Sequence, residues 1–148
     1  MRLLFAFLIS IQFVVVVSHD WVDWPGWNHG RQVQAVVGRR KLAIATLINA
    51  LFPGIAVAFA WLGRAAWYEV FYCAITVVSA IAMWYVPYFF GASEETQSQY
   101  EQMYAGTRQV LPARGRNPRP NLVHLWFHAL FAVNLGLAIT QFSVWPVG

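Results

Sequence analysis

Residues 42–90 read LAIATLINALFPGIAVAFAWLGRAAWYEVFYCAITVVSAIAMWYVPYFF, two apolar runs with only Gly63-Arg64 to turn the chain between them. The runs, residues 42–62 and 66–90, each reach the roughly 20 residues that a helix needs to cross a bilayer. Neither alternates apolar with polar as a barrel strand does, and in lipid the backbone must satisfy its own hydrogen bonds, so both are read as helices. So short a turn makes them an antiparallel hairpin. Trp67 and Tyr68 at one end of the second run, and Trp84, Tyr85 and Tyr88 at the other, form the aromatic belts of the two interfaces. Pro53-Gly54 predicts a bend near residues 49–53, and Gly54 with Ala58 offers a small-residue pair for close helix approach.

Composition agrees with that reading. Of 148 residues, 59% are hydrophobic, 17% aromatic and only 11% charged, against about 25% charged in ordinary soluble domains. Residues 1–148 are expected to form a single transmembrane domain. A net charge of +4 suggests orientation in the membrane and contact with anionic headgroups rather than nucleic acid. Cys73 is the only cysteine, so no intrachain disulfide is possible.

Toward the N-terminus, residues 19–41 carry Trp21, Trp24 and Trp27 around Pro25-Gly26 and read as an interfacial segment. Within it, Val33, Val36 and Val37 fall at helical spacing, which predicts a short surface helix over residues 31–40. Residues 3–18 have two readings, a signal peptide cut after Ser18 or a short first span. Cleavage would export Arg31, Arg39, Arg40 and Lys41, which the positive-inside rule disfavours, so an uncleaved span is expected.

Toward the C-terminus, residues 91–121 form the longest polar stretch. Ser93 followed by Glu94 and Glu95 predicts a capped helix, with Tyr100, Met103 and Tyr104 on one face and Gly106 at its end. Pro112, Pro118 and Pro120 then hold an extended loop that presents Arg114, Arg116 and Arg119. Asn121 is the expected N-cap of a fourth span, residues 122–142, with Trp145 at the far interface. The fold class is thus all-α, a membrane-embedded four-helix bundle with a short amphipathic helix in the third loop. With four crossings, loops 19–41 and 91–121 share the cytoplasmic side and most of the basic residues, and both termini lie outside.

Counting depth along each span gives a candidate site. Gln12, Asn49, Tyr85 and His128 fall at one level, about 9–10 Å in at 1.5 Å per residue, where they would form a polar layer that glues the helices or binds a ligand. His124 and His128 share a helix face but lack further ligands at their depth, so no metal and no cofactor is expected. Glu69 lies near the outer end of its span and reads as interfacial. Arg108, Arg114, Arg116 and Arg119 are candidates for contact with anionic lipid or a protein partner. No Walker loop, nucleophile elbow, zinc-protease or dinucleotide motif is present.

The run Trp84-Tyr85-Val86-Pro87-Tyr88-Phe89-Phe90-Gly91, Tyr100 with Thr107, then LPARG at 111–115 and NPRPNLVHLWFH at 117–128 together resemble an uncharacterised family of small bacterial four-helix integral membrane proteins. Asp23-Trp24-Pro25 and residues 38–42, GRRKL, are similar too; Arg108 departs from the pattern, which has a histidine there. The resemblance implies a bacterial inner-membrane protein and carries no activity. The expected function is a non-enzymatic accessory or scaffold subunit, working in a membrane-protein complex or homo-oligomer through its basic loop. One alternative is a lipid- or small-molecule-binding bundle, isomerase-like in architecture, with a pocket near His128 and Asn49. The other is a haem or quinone redox subunit.

Overall fold

The computed structural model describes residues 1–144 and is all-α apart from one two-stranded ribbon. Trp145 lies outside the described residues. Helix α1 is Arg2–Ser18, α2 Gly30–Val37, α3 Arg39–Leu62, α4 Ala66–Ala80, α5 Val86–Phe90, α6 Glu94–Tyr104 and α7 Leu122–Val144, with a π-helical turn Ile81–Tyr85 joining α4 to α5. Arg39–Leu62, Ala66–Phe90 and Leu122–Val144 are long and apolar enough to cross a membrane, whereas α1 is a shorter apolar helix of 17 residues. Their outward faces carry exposed Leu47, Leu51, Trp61, Phe71, Val78 and Val133, an apolar surface suited to lipid rather than water.

Four helices, α1, α3, α4 and α7, pack around one core. At the end where Gly63 and Ala65 turn the chain, both in the left-handed region, Phe5 and Ile9 of α1 sit on Ala56 and Ala60 of α3, Tyr72 and Cys73 of α4 and Ala138 of α7. The buried small pair on α3 is therefore Ala56 and Ala60; Ala58 is exposed, and Gly54 instead faces the Phe13 ring. Small residues let these helices approach closely where lipid offers no hydrophobic drive.

At the opposite end, residues 19–37 and 91–121 fold against each other into a cap. The interfacial tryptophan segment contains a ribbon, Asp23–Trp24 paired with Asn28–His29. Pro25 and Gly26 form its turn, closed by a 2.8 Å bond from Trp27 N to Trp24 O, with Gly26 at φ +72° as a type II turn requires. The cap is tied together by Arg108 N donating to Gly26 O at 2.8 Å and Leu122 N to Arg108 O at 2.9 Å. Its small core packs Val33, Leu42 and Tyr104 with Trp21, Trp84 and Met103. Ser93 caps α6 by accepting from Thr96 N, and Asn121 Oδ1 accepts from His124 N at the start of α7.

Candidate functional site

The π turn follows from Pro87. Proline has no N–H to give the carbonyl four residues back and its ring crowds that carbonyl, so the helix re-registers just upstream. The consequence lies in how two consecutive side chains are aimed. Trp84 and Tyr85 both address α7, Trp84 lying 4.0 Å from the His124 ring between centroids and Tyr85 Oη 3.2 Å from His128 Nδ1. In a regular helix neighbours point about 100° apart and would not share one partner helix so readily.

Trp84, His124 and His128 line a cavity of about 510 Å³ between α1, α3, α4 and α7, beneath the cap, while Tyr85 lies outside it, on the other side of His128. Asn49, Phe52 and Pro53 line one side, Tyr72, Thr76 and Trp84 another, and His19, Asp20, Tyr104, His124, Phe127 and His128 its capped end. On the rim Asn49, Phe52, Phe71, Ile75 and Met83 are exposed, so the cavity opens sideways on the exposed apolar surface of the bundle. At the turn end it closes where Tyr68 Oη donates to Phe52 O at 3.1 Å.

Each polar group at the capped end is oriented by a neighbour. His19 Nδ1 donates to Val16 O at 2.9 Å, which leaves Nε2 facing Asp20 Oδ1 at 3.2 Å. His124 Nδ1 donates to Asn121 Oδ1 at 2.7 Å, so the residue that caps α7 also fixes the histidine's tautomer. The His19 ring stands edge-on to His124 and Phe127, at 5.7 and 4.9 Å, and Tyr104 edge-on to His124 at 5.3 Å. Burial pushes the Asp20 carboxyl above the usual carboxylate range, with His19 opposing the rise. Burial also pushes up the Tyr104 phenol, and Asp20 and Tyr100 add to the effect.

The expected polar layer divides in two. Tyr85 and His128 are bonded to each other, and Asn49 stands on the far wall of the cavity that His128 lines. Gln12 does not join them. It is fully buried, donates to Tyr72 Oη at 3.1 Å and accepts from Asn134 Nδ2 at 2.7 Å. The reason is an offset in depth, because α1 ends lower than the start of α7: His19 packs against Phe127, not Leu122. Gln12 thus meets Asn134, six residues beyond His128 and about 9 Å further along α7. Glu69, expected at the interface, is buried at 4% exposure beside the turn-end core. Sequence reasoning passed over His19, Asp20, Trp84 and Tyr104, although a His-Asp pair directly after an apolar helix was a readable signal.

Among the described residues, no group of three or more His, Cys, Asp or Glu is placed to hold a metal ion. His124 and His128 have ring centroids 6.3 Å apart, and each has a ring nitrogen engaged, with Asn121 and Tyr85. The loop arginines are largely engaged within the chain. Arg114 lies over the Tyr88 and Phe89 rings at 5.4 and 5.0 Å, Arg116 pairs with Glu101 at 3.3 Å, and Arg119 donates to Leu111 O at 3.1 Å. Arg108 is exposed and is tied to the ribbon through its backbone. No protein-family model, curated protein or solved structure matches the chain.

Proposed function

We propose that the chain is a four-helix protein of a bacterial inner membrane, its basic cap in the cytoplasm, that holds a small apolar or amphipathic molecule in the cavity between Asn49 and His128. The observation that carries this reading is the cavity itself, which has the size of small-molecule sites and their character, mostly aromatic walls with a few oriented polar groups. A lipid-facing opening suits a ligand that arrives from the bilayer. The π turn beside it is a feature that concentrates at functional sites. In the accessory-subunit reading the exposed Arg108, Arg114 and Arg116 would form the contact surface, although Arg114, Arg116 and Arg119 each already have a partner within the chain.

The test is purification in mild detergent, with native mass spectrometry and an absorption spectrum on one sample. The reading predicts a bound small molecule or single lipid that is lost in His128→Leu. A stoichiometric protein partner on an empty chain would return the accessory reading. A visible chromophore would favour the redox alternative.

A further inference from the structure

Among the described residues lining the cavity, Asp20 is the single carboxylate, and neither lysine nor arginine is present, although the chain carries ten of them. The carboxylate shares its end of the cavity with aromatic side chains: Trp84, Tyr104 and Phe127 line it too, with Trp84 and Tyr104 edge-to-face at 5.6 Å. One negative charge inside an aromatic enclosure is the arrangement that recognises an organic cation, through ring quadrupoles and a counter-charge together. An anionic headgroup or carboxylate ligand would meet no lysine or arginine there. Resting on the ligand-site reading, we propose that the cavity binds a hydrophobic organic cation, a protonated amine or a quaternary onium group on an apolar body, with Asp20 as its counter-ion and Trp84 and Tyr104 as its aromatic walls.

His19 determines how that charge becomes available. Its Nδ1 proton is committed to Val16 O, so the contact from Nε2 to Asp20 Oδ1 needs a second proton between them. The pair is then net neutral. An arriving cation supplies the positive charge in place of that proton, which is released to the buffer. The groups facing Asp20 are His19 beside it, Tyr104 from α6 and, across the His19 ring, His124 from α7; Gln34 of α2 donates to the backbone carbonyls of Asp20 and Trp21, not to the carboxylate. Cation binding is therefore expected to tighten as pH rises and Asp20, which burial holds above the usual carboxylate range, loses its proton.

The same chemistry belongs to an amine-bearing lipid headgroup and to a free lipophilic amine. Equilibrium dialysis of the detergent-purified chain with tetraphenylphosphonium, tetraphenylborate and triphenylphosphine oxide tests the charge at nearly constant shape. Saturable binding of one phosphonium per chain is expected, tighter at high pH and weakened about tenfold or more by Asp20→Asn, with no saturable borate site. Competition by phosphatidylethanolamine in nanodiscs assigns the lipid source, and its failure assigns the free amine. Should Asp20→Asn not fold, the preference of the unaltered chain for phosphonium over borate decides. Equal binding of all three probes, indifferent to Asp20→Asn, overturns the charge assignment and leaves the cavity a ligand site. Saturable binding of none overturns it as well, and the co-purification experiment then judges the cavity separately.

Discussion

Around Gln12 the polar atoms of α1, α4 and α7 close on one another, whereas around His128 α7 stands apart from α3 and a space of about 510 Å³ is left among the four helices. The packing residues account for the difference. Toward the turn end α3 presents Ala56 and Ala60, small enough for Phe5 and Ile9 to reach its backbone, and a glutamine can then span to both neighbours. Toward the cap the helices present larger side chains, among them Phe52 on the rim and Trp84, Phe127 and Phe131 on the wall, and no small-residue pair among the described residues there brings α3 onto α7. One half of the bundle thus uses polarity to join helices, and the other lines a space with it.

Substitutions at the turn end should break that contrast most strongly. Ala56→Leu puts three carbons into a site with 0% exposure against Phe5 and Ile9, and is expected to cost about 1–3 kcal/mol, seen as a lower unfolding midpoint in detergent. Asn134→Leu removes the bond to Gln12 at 2.7 Å and leaves that oxygen without its donor. Its expected cost is about 1–2 kcal/mol, read by the same midpoint, with cavity binding retained because Asn134 is not on the cavity wall.

The cap sharpens the comparison with smaller effects. Ser93→Ala deletes the side-chain acceptor for Thr96 N, at a cost of about 1 kcal/mol, visible as faster hydrogen exchange in the first turn of α6. Arg116→Ala breaks the pair with Glu101, in which both side chains are more than half exposed. Such pairs contribute little in water, so the midpoint should not move. A clear fall there would mean that the loop is held by charge rather than by the backbone bonds at Arg108 and Leu122.

Much of this fold was legible because its signals are local. The long apolar runs at 42–62, 66–90 and 122–142, Ser93 before Glu94-Glu95 and Asn121 before the last helix each announce an element through residues close in sequence. Of the cavity, the sequence offered only an alternative reading, a pocket near His128 and Asn49, which do both line it; the remaining walls were not legible. Helices that are apolar almost all round give no period from which to read their inward faces. Equal depth therefore grouped Gln12 with His128, while the observed geometry turns Gln12 to Tyr72 and Asn134. Tyr85 and His128 did find each other, since Pro87 and the π turn bring Tyr85 onto α7. The ribbon was hidden by its brevity, two residues a strand, although Pro25-Gly26 is the sequence of its turn.

The central claim is that the space beneath the cap is built to be occupied. Thr76→Phe tests it most directly, since Thr76 lies on the cavity wall and a phenyl ring there would intrude on the volume from the middle of α4. In native mass spectra of the detergent-purified variant, the account predicts that the bound small molecule disappears while the unfolding midpoint holds or rises. Retention of the same bound mass in a folded Thr76→Phe protein would contradict it.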